Sequence, residues 1–237
     1  MKRHSKRFRA VSAKSDVQKL YGLDEAVKLV KDNATAKFDE SVDIAIKLGI
    51  DPKKTDQLVS GTVSLPSGTG KAVRVLVFCK GEKQDEARAA GADYVGFDDL
   101  VEKINGGWFD FDVVVAAPDT MSAVGRLGKA LGPRGLMPSP KTQTVTFDIA
   151  ATVKSLKAGR IKYRTDKTGN VHALVGKASF EPEKLTVNVR SFMAELIRTK
   201  PSTAIGQFIR SAVLSSTMGP GVRLDTREFT DPARKEA

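Results

Sequence analysis

The chain has 237 residues, enough for one large domain or two small ones, and its 41% hydrophobic and 28% charged residues are ordinary for a soluble protein. It has no apolar run of membrane-spanning length and no apolar segment behind its basic N-terminus, so neither a membrane partner nor a signal peptide is predicted. The net charge of +11 and the isoelectric point near 9.7 favour a polyanionic partner, most often nucleic acid.

The small number of cysteines and histidines limits the disulfides and metal sites that the chain could form. The single cysteine, Cys79, follows an apolar run and is predicted to be buried, and one cysteine excludes a disulfide within the chain. We therefore expect a reduced, cytoplasmic protein. His4 and His172 are far from Cys79 along the chain, so the sequence predicts no metal site, and it predicts no cofactor.

The N-terminal segment is strongly basic. Residues 1–19 carry seven Lys and Arg and a single acid, Asp16. A segment of this composition is predicted to stay loosely ordered until an anionic partner neutralises it. A solvated tail and a nucleic-acid-binding arm are both consistent with this composition.

Periodicity then predicts one helix and two strands. The apolar residues 23, 26, 27 and 30 have helical spacing, and Asp24 and Glu25 suit the positive N-terminal end of a helix. Apolar residues alternate with others over 42–50, which indicates a half-buried strand. Residues 59–65 are predicted to form a second strand.

Residues 66–71 contain two glycines and end in a lysine, so a phosphate-binding loop has to be considered. That motif requires a glycine where Leu65 stands and a hydroxyl residue where Ala72 stands. A flexible connection is therefore the better interpretation.

The middle of the chain alternates between buried strands and helices. Strands are predicted at 73–78, 93–96 and 112–117, and helices at 84–91, 98–105 and 120–130. This order is typical of a small parallel βαβ sheet. No Gly-x-Gly-x-x-Gly motif joins a strand to a helix, so no dinucleotide is indicated. Residues 131–140 are too rich in glycine and proline for a regular element.

After residue 160 the strand pattern of the first part returns. A hairpin is predicted from strands at 161–165 and 171–175, with a turn at 166–170. A helix then starts at Pro182 and ends before Pro201. A last strand at 208–214 leads into residues 215–223, where three hydroxyls, two glycines and a proline predict a turn with an accessible backbone. Residues 226–237 are expected to be disordered.

The excess positive charge is unevenly distributed. Residues 68–159 hold 12 Lys and Arg against 11 Asp and Glu, whereas the two flanking segments together hold 27 against 17. We therefore predict a split, basic α+β domain from residues 1–67 and 160–237, which holds nucleic acid. A nearly neutral α/β domain, residues 68–159, is inserted into it, and the hinge is predicted at Gly68, Gly70 and Gly159.

Four stretches carry a resemblance to a known family: KFDESVD at 37–43, the loop at 131–138, DKTG at 166–169 and STMGP at 216–220. With these motifs the chain resembles bacterial ribosomal protein L-one over essentially its whole length. The resemblance implies a split α+β sandwich with an inserted Rossmann-like βαβ domain. It also implies a non-enzymatic, structural constituent of the large ribosomal subunit, at the ribosome in the cytoplasm and monomeric when free.

The partners and RNA contacts also come from the resemblance. It implies binding to large-subunit ribosomal RNA of the mobile stalk, assistance in releasing deacylated tRNA from the exit site, and repression through the protein's own mRNA. Carried over by position, the RNA-binding residues are Arg3, Lys37, Phe38, Ser41, Asp43, Lys167, Thr168, Ser211, Thr217, Met218 and Gly219. Ser41 and Asp43 stand where threonine and glutamate are usual, but both keep the functional group. We expect the loop at 131–138 to face RNA or tRNA.

These residue types suit structured RNA, because small polar side chains and an accessible backbone can come close to its riboses and phosphates. Without the resemblance, however, the position of Phe38 before a strand favours a core residue. Two rival functions also remain open at this point. One is an enzyme built on the βαβ unit, although that unit offers no histidine; the other is a general RNA chaperone that acts through charge alone.

Overall fold

The computed structural model describes residues 5–230 except Val17, Glu82 and Ile205. Over these residues the protein is a mixed α/β structure with three β-sheets, which confirms the mixed class. Two compact units are formed, Met1–Gly70 with Ile161–Ala237, and Lys71–Arg160. The assignment of a basic split domain and an inserted domain stays a prediction. No helix within the described residues is long and apolar enough to cross a membrane.

The N-terminal segment is folded, so the expectation of loose order is wrong for its described residues. Helix α1 (Lys6–Ser12) is capped by Ser5, whose hydroxyl accepts a hydrogen bond from the Phe8 backbone N–H at 3.2 Å. Val11 and Ser15 are buried. Burial of the Val11 side chain therefore favours the folded segment despite the repulsion between its basic side chains, which the composition alone does not reveal.

The next elements confirm the predicted periodicity. Helix α2 (Leu23–Asn33) carries Asp24 and Glu25 in its first turn. Strands β1 (Ser41–Leu48) and β2 (Ser60–Ser64) follow. The even-numbered residues of β1, from Val42 to Leu48, are all buried, whereas its odd-numbered residues are half-buried or exposed.

The second unit contains a three-stranded parallel sheet with strand order β4-β3-β5. Cys79, directly after β3, is fully buried as predicted. The elements of this unit are β3 (Val75–Phe78), α3 (Lys83–Ala89), β4 (Tyr94–Gly96), α4 (Asp98–Asn105), β5 (Val113–Ala116), α5 (Met121–Arg126), α6 (Gly128–Leu131) and α7 (Ile149–Lys157).

Two helices of this unit differ from the prediction. The single helix expected over 120–130 is interrupted at Leu127, between α5 and α6, where Gly125 and Gly128 weaken the helix. Helix α7 was not predicted. The Asp148 carboxylate caps it by accepting from the Ala151 N–H at 3.1 Å, and its apolar side is buried.

The remaining elements return to the first unit. They are β6 (Arg160–Arg164), β7 (Asn170–Lys177), α8 (Pro182–Arg198), β8 (Ile209–Ser216), β9 (Val222–Leu224) and α9 (Arg227–Thr230). The main sheet is antiparallel with strand order β7-β1-β8-β9, and β2 pairs with β6 in a separate two-stranded sheet.

The predicted hairpin of residues 161–175 is wrong in its pairing, although its turn is present. Strand β6 joins β2 and strand β7 joins β1, and the two are linked by an isolated bridge between Thr165 and Val171 and by the hydrogen bonds of the turn. Thr165 provides the physical reason. Its hydroxyl accepts from the Val59 N–H at 3.1 Å and its own N–H donates to the Val59 carbonyl at 2.9 Å, which ties this segment to the residue directly before β2.

The C-terminal part also departs from the prediction. Strand β8 extends to Ser216, and β9, which was not predicted, pairs with it. Residues 226–230 are ordered, because Phe229 is buried and the Glu228 carboxylate accepts from the Leu23 N–H at 3.1 Å. Residues 231–237 of the expected disordered tail lie outside the described residues.

The main sheet has two unlike faces. Helices α2 and α8 pack on one face, where Val42, Ile44, Val189 and Phe192 belong to one buried cluster. The side chains that point to the other face are half-buried or exposed. We call this second surface the open face.

Candidate RNA-binding interface

The open face collects polar residues from strands that are distant in sequence. In the pairing of β1 with β8, Asp43 lies opposite Ser215 and Lys47 lies opposite Ser211. Ser41, Asp43 and Lys47 alternate with the buried residues of β1, so they share the open face. The structure therefore places Ser41, Asp43 and Ser211, three of the residues implied by the resemblance, along the same face.

One end of the open face joins the loop before β1 to the turn after β8. The Ser41 N–H donates to the Thr217 hydroxyl at 2.9 Å, and the Thr217 N–H donates to the Ser41 carbonyl at 3.0 Å. Lys37 and Phe38 therefore lie at the same end as Thr217, Met218 and Gly219. Thr217 was expected only as an RNA contact. It also has a structural role, because its hydroxyl has an intramolecular partner.

Two large apolar side chains at this end are exposed to solvent. Phe38 retains 55% of its accessible surface and Met218 retains 52%. A single exposed apolar side chain is ordinary, but apolar side chains exposed at the same end of a surface can mark an interaction site. The alternative that Phe38 is a core residue is wrong.

Glu40 organises this end, although the sequence reasoning gave it no role. Its side chain is 1% exposed. One carboxylate oxygen accepts from the Ala36 N–H at 2.9 Å, and the other accepts from the Met218 N–H at 3.0 Å. Burial raises the pKa of this carboxyl, but the Met218 and Ala36 N–H groups and the charge of Arg7 outweigh it and hold the pKa below its ordinary value.

Helix α1 reaches the same turn. The Arg7 guanidinium donates to the Met218 carbonyl at 2.9 Å and to the Thr35 hydroxyl at 3.3 Å. Arg3, the arm residue implied by the resemblance, lies outside the described residues. Arg7 therefore ties the described part of the N-terminal arm to this turn, and sequence reasoning did not single it out.

Gly219 lies close to the Ser216 side chain, which leaves little room for a Cβ atom. A Cβ atom at this position would lie 2.4 Å from the Ser216 hydroxyl oxygen, well inside van der Waals contact. The Gly219 N–H donates to the Ser216 carbonyl at 3.2 Å and closes the turn. A larger residue would have to move the Ser216 hydroxyl, which lies beneath the turn that presents Met218.

The opposite end of the open face is the turn at 166–170. The Asp166 carboxylate accepts from the Asn170 N–H and the Thr168 N–H, each at 2.8 Å, and from the Thr168 hydroxyl. These hydrogen bonds, first that from Asn170, lower the pKa of Asp166 to about 2. Lys167 and Thr168 are exposed at its tip. Strand β1 has eight residues, which places about 23 Å between the two ends at roughly 3.3 Å per residue.

Further cations lie on or beside the open face. The Lys47 ammonium donates to the Thr168 carbonyl, and the Lys177 ammonium donates to the Ser41 hydroxyl at 3.0 Å. Burial raises the pKa of the Asp43 carboxyl, and Lys177 and His172 act in the opposite direction. The alternation of β1 could have indicated Lys47, whereas Lys177 required knowledge of the strand pairing.

The loop at 131–138 belongs to the second unit and is partly packed. Leu131 is buried, and Leu136 and Met137 pack against the same apolar cluster. The Arg134 guanidinium lies 3.8 Å from the centre of the Phe109 ring. That this loop faces RNA or tRNA stays a prediction.

The predicted hinge glycines all have left-handed backbone angles. The φ angles of Gly68, Gly70 and Gly159 are 72°, 72° and 106°. Asn188 fixes the chain just before Gly70, because its side chain accepts from the Ser67 N–H at 3.0 Å and donates to the Gly68 carbonyl at 2.9 Å. These angles explain why glycine stands there, but hinge motion stays a prediction.

Comparison with known proteins identifies the family. The model of the "Ribosomal protein L1p/L10e family" matches residues 30–220. The chain is 56% identical over 225 residues to "Large ribosomal subunit protein uL1" of Paraburkholderia phytofirmans, covering 95% of this chain and 97% of the relative. It is 54% identical over 235 residues to the protein of the same name from Fervidobacterium nodosum, covering 99% and 100%. The resemblance found in the sequence is thus confirmed, and the chain belongs to the ribosomal protein L1p/L10e family.

Proposed function

We propose that this chain is a structural, non-enzymatic component of the large ribosomal subunit that binds ribosomal RNA through the open face. One observation carries the proposal most directly. Ser211 lies on the open face, the stretches around 38 and 217 meet at one end of it, and the turn around 167 lies at the other end. The family match and the names of the relatives support the ribosomal assignment.

The chemistry of the open face suits RNA rather than charge-driven binding alone. Phe38 and Met218 offer apolar surface to a base or ribose, and the hydroxyls of Ser41 and Ser211 can exchange hydrogen bonds with 2′-hydroxyls. Lys37 and Lys167 are exposed and can contact phosphates. Such a surface recognises the shape of a folded RNA as well as its charge.

The finer functional assignments follow from family membership. The first unit grips the stalk RNA and the second unit, predicted as residues 68–159, is an inserted domain that moves about the glycine crossings. This mobility accompanies the release of deacylated tRNA from the exit site. The same open face binds the protein's own mRNA and represses its translation. The protein acts in the cytoplasm, at the ribosome, and is a monomer when free.

The decisive experiment is a binding titration with a stalk ribosomal RNA fragment in the presence of excess unrelated RNA. We expect tight binding that unrelated RNA does not abolish, and a footprint confined to one region of the fragment. Equal competition by unrelated RNA would favour the general RNA chaperone. The stalk sequence made as DNA is the matched control, and it should bind more weakly because it lacks the 2′-hydroxyl.

Salt dependence separates the two kinds of contact within this experiment. Lys37→Ala should reduce the slope of log affinity against log salt by about 0.7–0.9 if Lys37 contacts one phosphate. Lys28→Ala on α2 is the control, since Lys28 is also exposed but lies on the helix that packs against the other face. An unchanged slope in Lys37→Ala would remove this phosphate contact from the proposal.

A further inference from the structure

Glu40 poses an electrostatic problem for a surface that binds a polyanion. Its carboxylate lies between the segment that carries Phe38 and the turn that carries Met218. A negative charge close to bound phosphates repels them and weakens association. A carboxylate at this position therefore weakens the binding of a polyanion unless it makes a compensating contribution.

The geometry supplies that contribution. The two oxygens of Glu40 divide their hydrogen bonds between Ala36, which precedes the exposed Lys37-Phe38 pair, and Met218, 178 residues away from Glu40. Hydrogen bonds to an ionised acceptor are roughly twice as strong as neutral ones. At 1% exposure, water does not compete effectively for this carboxylate. Both segments are thereby held to one buried group.

Backbone contacts and Arg7 complete the arrangement. The Glu40 carbonyl accepts from the Ala178 N–H at 2.8 Å, which anchors Glu40 to the end of β7. Arg7 donates to the Met218 carbonyl at 2.9 Å, so the turn is held through both its N–H and its carbonyl. The exposed side chains project from a backbone that is fixed before any partner arrives.

We propose that Glu40 is a positioning residue for RNA binding, which fixes Phe38 and Met218 in the arrangement that the RNA contacts. The inference rests on the proposed function, since it concerns the same open face. The predicted change in RNA affinity is opposite in sign to the one that charge repulsion alone would give. Removal of this negative charge weakens the binding of a polyanion, because the lost preorganisation outweighs the relieved repulsion.

Three variants separate positioning from charge. Glu40→Gln keeps the length of the side chain but replaces one accepting oxygen with an NH₂ group, so one of the two backbone N–H groups loses its acceptor. Glu40→Asp keeps the charge but is one methylene too short to reach both N–H groups. Asp32→Asn, at an exposed position on α2, removes an equal charge elsewhere and serves as the control.

The experiment titrates the stalk RNA fragment with the full-length parent and each variant at several salt concentrations. Glu40→Gln and Glu40→Asp should each weaken binding at least about tenfold, because each breaks a hydrogen bond to a charged group. Their salt slopes should match the parent, since Glu40 contacts no phosphate. Asp32→Asn should bind as tightly as the parent or slightly more tightly.

Amide hydrogen exchange in the free protein tests the positioning without RNA. The Ala36 and Met218 N–H groups should exchange faster in both Glu40 variants, while Ile44 in the centre of β1 should remain as protected as in the parent. If Glu40→Gln does not fold, Glu40→Asp decides the question alone.

The remaining outcomes distinguish a failure of the positioning role from a failure of the proposed function. Parent-like or tighter RNA binding by both Glu40 variants, with a parent that binds well, would overturn the positioning role and leave the proposed function intact. Absence of binding by the parent would overturn the proposed function and this inference together. Unchanged exchange at Ala36 and Met218 would also contradict the positioning role.

Discussion

Phe38 carries the clearest expectation at the scale of single residues, because its exposure makes binding and stability separable. Phe38→Ala should lower RNA affinity by about 1–3 kcal/mol at every salt concentration, as expected for a lost stacking partner. Its free energy of unfolding should change by less than about 0.5 kcal/mol, since the ring is 55% exposed. Fluorescence titration and thermal unfolding measure the two quantities.

The matched control is Val187→Ala on α8. Val187 is 46% exposed, but its helix packs on the other face of the sheet. This variant should bind RNA like the parent. Equal losses in both variants would mean that exposed apolar area, rather than the position of Phe38, determines affinity.

Thr217 combines a structural hydrogen bond with a predicted RNA contact. Its hydroxyl accepts from the Ser41 N–H at 2.9 Å and donates to the Ser41 carbonyl at 3.3 Å, which leaves one lone pair to accept a hydrogen bond from RNA. Thr217→Val should lower RNA affinity by about 1–3 kcal/mol and the free energy of unfolding by about 0.5–1.5 kcal/mol. Thr217→Ser keeps the hydroxyl and should resemble the parent in both measurements. Parent-like RNA affinity of Thr217→Val at every salt concentration would limit this residue to the fold.

Most of these residues could be predicted from the sequence, but some of their contacts within the protein could not. Phe38, Met218 and Gly219 were implied by motifs that resemble a family. Glu40 stands in one of those motifs, yet its burial depends on a turn 178 residues away along the chain. Periodicity describes neighbours along the chain, so it cannot show a carboxylate shared between such distant segments.

At the scale of elements, the regular patterns were predictable and the pairings were not. Strand β1 has one buried and one exposed face, so its alternation is strong. The error over 161–175 arose because a short turn between two strands favours a hairpin, whereas Thr165 bonds to Val59 instead. Helix α7 carried a usable signal, since Asp148 caps a run of apolar residues at helical spacing.

The turn at 166–170 yields a prediction on pH. The pKa of Asp166 is lowered to about 2, so its contribution to stability is fully present above the unfolded-state pKa near 3.9 and is lost as the pH falls through about 2. Titration of the Asp166 carboxyl carbon by NMR should give a pKa of about 2 in the folded protein and about 3.9 in urea. A folded-state value near 3.9 would show that the Thr168 and Asn170 hydrogen bonds do not hold the carboxylate.

At the scale of the whole molecule, charge segregation leads to a test of the two units. Residues 68–159 are nearly neutral, and the flanking segments carry almost all of the net charge of +11. Residues 1–67 joined to 160–237 should still bind the stalk RNA, whereas residues 68–159 alone should not. Binding by the middle segment, with none by a folded joined protein, would contradict the assignment of RNA binding to the first unit.

The central claim is that RNA lies on the open face of the main sheet. The most direct measurement is NMR mapping of backbone amides in the full-length protein as the stalk RNA fragment is added. The proposal predicts large shifts at Ser41, Asp43, Ser211 and Met218, and small ones at Val187 on α8. Large shifts on α2 and α8, with Ser41 and Met218 unchanged, would contradict it.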